Sequence, residues 1–488
     1  MSAEIDPSPR LLRLKNWANH RAPLGLAFLI FGYLVFFSVL ACQKLYYFRQ
    51  GFDMAGNEQA IWNTLHGRPF RTSVFAFMQY DFDDGPVLLQ IPLALVYAIH
   101  QSPYTLLVLQ TLALAIAAWP VYLIGRDLLP QRWHALTLAA IYLIHPTTQH
   151  INMYEFQLRS FMIPFALGAL LFLRRQKLGW YALFLCLMMF TKTEAGFTLV
   201  AFGAYALLSR KPWRFAAIPL VLGPSWIFVA LGIIVPRFSQ DDFITKIYSY
   251  GKLGESVGDV IKTMITNPGL TWQVITIPAK LSYLLRLFSL TAFLAFFSPT
   301  LILALPILML NLISPNGVQF SLNYQYGALA YPFLIVAMAE GLVNLLGWSV
   351  KHSYIRQRLI SAGVLGLLLI GVIGNLTLNN VVKSALTNRE SPQRVADARA
   401  IIAQVPPHAA VAASTFLAPH LAQREEIYFF PGNPSYPAEY VDRAEYIVLD
   451  RRPIDKDPEL LAALDKYLNH PEWQTLAEQG DFVLLQRP

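Results

Sequence analysis

Apolar residues fill the first 380 positions in long blocks, separated by short polar breaks. A helix that crosses a bilayer needs roughly 20 apolar residues, with about 17–25 tolerated. Eleven blocks approach that length: 24–43, 104–125, 134–149, 158–173, 178–191, 195–209, 215–235, 284–298, 300–313, 327–347 and 359–377. Several need flanking residues to complete a span. A twelfth block, 86–99, is short and opens with Pro86, which suits a span, a re-entrant piece or an interfacial helix. Beyond position 380 the pattern changes. Val395, Ala398, Ile401 and Ile402 recur at helical spacing after Ser391-Pro392. Short β runs follow at 410–413, 427–430, 446–449 and 482–485, with Leu460, Leu461, Leu464 and Leu468 forming a helical stripe before the last of them. Strands alternating with helices predict a small α/β unit. The pattern therefore predicts a mostly α fold: a polytopic helical membrane body over residues 1–379 and an extracytoplasmic α/β domain over 380–488.

Composition sharpens that division. Apolar residues are 55% and charged residues 14% of the 488, and mean hydropathy is +0.42. An average soluble domain carries about 25% charged residues, so an ordinary soluble enzyme and a disordered chain are both excluded. Residues 1–379 hold 27 bases against 15 acids, whereas 380–488 hold 11 bases against 15 acids. The net charge of +8 does not indicate a nucleic-acid partner, because the bases sit in short clusters between apolar runs, as in cytoplasmic loops. If 86–99 does not cross, fifteen clustered bases in five short loops fall on one side, among them Arg174, Arg175 and Lys177, and Arg210, Lys211 and Arg214. If it does cross, four of the five clusters move outside. The positive-inside rule selects the first arrangement, with the N-terminus cytoplasmic and the C-terminal domain outside the cytoplasmic membrane. Cys42 and Cys186 both lie in apolar runs, so a disulfide is not expected.

This orientation gathers the informative acids outside. The first outer loop, 44–85, holds Asp53, Glu58, Asp81, Asp83 and Asp84. Another holds Tyr154-Glu155-Phe156-Gln157 and Arg159, and Thr191-Lys192-Thr193-Glu194 forms a tight junction between two apolar runs. Ionisable residues this close to hydrocarbon are costly and normally pair or line a cavity. A purely structural pair of Lys192 with Glu194 or Glu155 satisfies that requirement as well as a binding site does. Trp62, Tyr80, Tyr154, Tyr324 and Tyr326 suit an interfacial aromatic belt and equally a sugar-stacking wall. Asp83-Asp84 suits a turn or cap before 86–99. There is no Gly-rich phosphate loop, His-Glu-x-x-His or Cys-x-x-Cys, and the scattered histidines do not support a zinc site. An acid-only Mg²⁺ or Mn²⁺ site involving Asp53, Glu58, Asp83 or Asp84 is chemically allowed, though nothing in the sequence requires it. No other cofactor is indicated.

Gly51-Phe52-Asp53 followed by Gln59-Ala60-Ile61-Trp62-Asn63-Thr64-Leu65-His66-Gly67 resembles the start of a bacterial multi-pass membrane family, domain of unknown function 2079. So do Tyr154-Glu155-Phe156, Lys192-Thr193-Glu194, the 311–326 stretch, Ala418-Pro419-His420-Leu421 and Tyr446-Ile447-Val448-Leu449-Asp450. The family looks like the GT-C membrane glycosyltransferases, which use polyprenyl-phosphate sugars. In those enzymes an acid of the first external loop is essential, and by position Asp53 matches it. The resemblance implies an inverting transferase with a polyprenyl-phosphate lipid as partner and Asp53 as catalytic base. Lys192 and Arg159 would then hold the donor phosphate, Glu155, Glu194 and Glu58 would orient these groups, and Asn323, Tyr324, Tyr326 and Trp62 would line the sugar pocket. Two departures stand out. The family pattern leads one to expect histidine near Asp83 and at position 157, where this chain has Asp83-Asp84-Gly85-Pro86 and Gln157. A transporter or lipid-carrier flippase would instead show polar mid-helix residues and paired repeats, and the chain has few such residues and no clear repeat. A non-catalytic envelope assembly protein is the third reading, and the missing histidines keep it open.

Overall fold

The computed structural model describes residues 9–74, 87–238, 250–430 and 438–488. Helix α1 (Pro9–Tyr46) opens the chain and is followed by α2 (Phe52–Leu65) and the short α3 (Gln90–Tyr97). Among the described residues, five stretches are individually long and apolar enough to cross a bilayer: Asn19–Tyr46, Pro103–Leu128, Trp213–Phe238, Tyr331–Ser349 and Ser353–Leu378. Shorter apolar helices, including Arg159–Arg174, Leu178–Met189 and Ala195–Leu208, pack among them around one continuous core. The eight residues of α3 rise only about 12 Å, well short of a hydrocarbon core of about 30 Å.

Among the apolar blocks that do not become single helices are 134–149 and 284–298. The block 134–149 breaks at His145-Pro146. Proline disfavours helical dihedrals in the residue before it, and His145 adopts φ −58°, ψ 132°. Pro146–Met153 then starts a new helix, with the His145 ring accepting from the Thr147 amide at 3.2 Å. The block 284–298 breaks as well. Helix Pro278–Ser289 ends, Ala292 and Phe293 take positive φ, and the chain continues in tight 3₁₀ turns at Leu294–Phe297 and Pro299–Leu303. The neighbouring helix Tyr331–Ser349 approaches this turn so closely that a Cβ on Gly341 would lie 1.9 Å from the Leu294 carbonyl oxygen. Only glycine allows that approach.

The C-terminal region forms a five-stranded sheet from β1 (Val411–Ala413), β2 (Ile427–Phe429), β3 (Tyr446–Asp450), β4 (Gln474–Gln479) and β5 (Phe482–Gln486). The order is β2-β1-β3-β5-β4, with β2, β1 and β3 parallel and the last two pairings antiparallel. Alternate side chains serve opposite faces. Val411, Val448 and Leu484 pack with helix Pro392–Ile402, whereas Ile447, Leu449 and Leu485 pack with Leu464, Tyr467 and Trp473. Phe48, Ala55 and Val74 of the segment between α1 and α3 join the first of these cores. One side of the sheet is therefore completed by the segment that carries Asp53.

Candidate active site

Asp53 lies in the first turn of α2, and no side chain caps that helix locally. Helix N-termini leave backbone N–H groups without partners and favour negative charge. Here the cap comes from a distant loop: Glu155 Oε2 accepts from the Met54 amide at 2.9 Å. Gly51 makes room for this, since a Cβ there would lie 2.9 Å from Glu155 Oε1 and 2.9 Å from Thr415 Cγ2. The segment carrying Glu155 is itself held from both sides. Lys44 donates to the carbonyls of Met153, at 2.9 Å, and Tyr154. Gln110, buried in its helix, donates to Glu155 O at 3.0 Å and accepts from the Gln157 amide at 2.6 Å.

Asp53 is partly accessible but surrounded by protein on most sides, and Gln157 Nε2 donates to its Oδ2 at 2.8 Å. Burial raises the Asp53 carboxyl, and the nearby Lys192 and Arg159 charges and the hydrogen bonds from Gln157 and Tyr154 only partly offset this. Burial also raises Glu155, as does the facing Asp53, while Lys44 opposes the shift. Arg159 pairs with Glu194 at 2.5 Å and lies over the Tyr326 ring at 5.0 Å. Lys192 is buried in the turn before Ala195–Leu208. Tyr154 meets Tyr324 edge-on, with ring centroids 5.3 Å apart.

The structure thus gathers Asp53, Glu155, Arg159, Lys192, Glu194, Tyr324 and Tyr326 in one region. The remaining residues lie elsewhere. Glu58, one and a half turns along α2, accepts from Tyr97 at 2.7 Å and from Gln423 of the C-terminal region at 3.0 Å. Trp62 is about 13 Å along the helix axis from Asp53, packed against the tilted His66 ring with centroids 4.1 Å apart and beneath Arg68. Asn323 lines a separate cavity of about 260 Å³ with Tyr283 and Arg286. Asp83 and Asp84 lie outside the described residues. Among the described residues, no three His, Cys, Asp or Glu side chains cluster as metal ligands do.

Three participants were not singled out as site residues from sequence: Gln157, Lys44 and Gln110. The first carried a signal, since it occupies the position where the family pattern leads one to expect histidine. Its amide keeps a hydrogen bond to the carboxylate but cannot titrate near neutral pH.

The chain matches the family described as "Predicted membrane protein (DUF2079)" over residues 44–484. It belongs to that family. No curated protein matches it by sequence. Among solved structures it is similar to ArnT from Cupriavidus metallidurans bound to undecaprenyl phosphate, with TM-score 0.53 and 13% identity over 94% of this chain and 98% of that one. The apo form of the same protein aligns at TM-score 0.53 and 12% identity, over 94% and 98%. This DUF2079 member therefore has the ArnT-like fold.

Proposed function

We propose that the protein is an inverting glycosyltransferase that moves a sugar from a polyprenyl phosphate to an acceptor outside the cytoplasmic membrane. The observation that carries this reading is the partly accessible Asp53 carboxylate, held by Gln157 and flanked by Lys192 and Arg159, in a fold whose relative ArnT was solved with undecaprenyl phosphate. A general base works best when its pKa is drawn toward the operating pH, and burial moves Asp53 that way. In the proposed step Asp53 accepts the acceptor hydroxyl proton as the oxygen attacks the sugar's anomeric carbon. The bond from that carbon to the phosphate oxygen breaks, and the lipid phosphate leaves with the bonding pair. Lys192 and Arg159 stabilise the charge that develops on it. Glu194 fixes the Arg159 guanidinium, and Glu155 fixes the start of α2.

Steady-state kinetics of the purified protein with a panel of synthetic polyprenyl-phosphate sugars tests this assignment. Lys192→Ala should raise KM for the lipid-linked donor. Lys192→Arg should recover part of the loss, because a point charge on phosphate matters more there than side-chain shape. Donor kinetics unchanged in Lys192→Ala would remove the phosphate role.

A further inference from the structure

The C-terminal sheet carries a crevice that the proposed reaction does not use. From β1 the chain runs to β2 on one side and then to β3 on the other. In open sheets with parallel strands, ligands bind beyond the carboxyl ends of the strands, at the point where the order reverses. Here that point lies between β1 and β3. A crevice of about 390 Å³ opens there, within the size range of small-ligand sites. Phe416, just after β1, lines one wall, and Asp450 and Arg452 at the end of β3 line another. The Asp450 amide donates to Ser414 Oγ at 3.0 Å, tying the two strand ends together.

The charges in this crevice are unevenly used. Arg394 pairs with Glu390 at 3.3 Å and with Asp450 and Asp481, and Arg452 pairs with Glu390 at 2.8 Å and Asp481 at 3.5 Å. These arginines occupy the carboxylates. Arg49 and Lys456 also line the crevice, and among the described residues neither makes an ion pair. The Phe416 ring is 43% exposed. Two uncommitted cations beside a bare aromatic face suit a sugar ring that bears an anionic group. The crevice also borders the Asp53 region: Thr415, next to Phe416, and Glu155 meet across Gly51.

We propose that this crevice binds the acceptor, a saccharide bearing a carboxylate or a phosphate ester, and presents it toward Asp53. The assignment of acceptor rests on the transferase reading, whereas the binding itself does not. Full-length protein in lipid nanodiscs is titrated calorimetrically with trigalacturonic acid, glucose 1-phosphate, maltotriose and inorganic phosphate. At least one acidic saccharide should bind saturably, with maltotriose and inorganic phosphate about tenfold weaker or worse. The Arg49→Ala/Lys456→Glu double variant should lose about tenfold in affinity, and Asp53→Asn should bind as wild type does. Lys456→Gln, a change at an exposed position, should alone weaken binding about threefold with no change in Tm. Failure of both acidic saccharides to bind, equal binding of inorganic phosphate, or affinity untouched by these variants would overturn the proposal. A protein that binds the saccharide but transfers no sugar contradicts the reaction and not the crevice.

Discussion

Asp53 is held by partners from two segments: Tyr154 and Gln157 by hydrogen bonds and Arg159 by charge from 154–159, and Lys192 by charge from a second turn. Gln157→Leu removes one group that holds the carboxyl down, so it should raise the Asp53 pKa further. The acidic limb of the pH–rate profile should then move to higher pH, with the maximal rate reduced less than in Asp53→Asn. A limb that stays in place would mean another group titrates. Asp53, Lys192 and Arg159 were recognisable in the sequence because charges near hydrocarbon are rare and stand out. Gln157 and Gln110 were harder to see. An amide has no such rarity, and its role depends on bonds to backbone groups far along the chain, such as Glu155 O and the Gln157 amide itself.

At the scale of elements, α2 is the hinge piece, since it carries Asp53 at one end and meets the C-terminal region along its length. Gln59 donates to the carbonyls of Arg424 at 3.2 Å and Glu425 at 2.9 Å, and Arg68 pairs with Glu425 at 2.7 Å. Glu58 sits fully buried in this seam, and burial pushes its carboxyl up to about 8. Its folded value exceeds the unfolded value of about 4.3. Its stabilising contribution is therefore full below about pH 4.3 and is lost as pH rises through about 8. Hydrogen exchange across 52–65 should accelerate between pH 6 and pH 9 beyond the intrinsic rate change, and Glu58→Gln should abolish that excess. Equal excess in both proteins would separate the seam from Glu58. The hydrophobic pattern placed four of the five strands, because each is a run of buried residues. β4 escaped it: Gln474–Gln479 is a mostly exposed polar edge strand, defined by its pairing with β5 rather than by its own composition. The breaks within 134–149 and 284–298 escaped for a related reason. Hydropathy records that a segment is apolar, while a proline or a left-handed turn decides whether it is one helix.

For the whole molecule, the distribution of bases leads us to propose that the short basic loops face the cytoplasm and the sheet lies outside. With Cys42 and Cys186 replaced by serine, Gln176→Cys should resist impermeant thiol reagents in intact cells, while Glu472→Cys, in an exposed position, should be labelled. The reverse pattern would put the Asp53 region on the cytoplasmic side and end the case for a lipid-linked donor. The most direct test of the central claim compares envelope glycans and glycolipids by mass spectrometry. The strains lack the gene or carry the wild-type or Asp53→Asn protein at matched abundance. Asn is nearly isosteric with Asp but cannot accept the proton, and loss of a general base typically costs about 10²–10⁴ in rate. The account predicts that whatever glycan disappears with the gene stays absent with Asp53→Asn and returns with wild type. Full restoration by Asp53→Asn would contradict it.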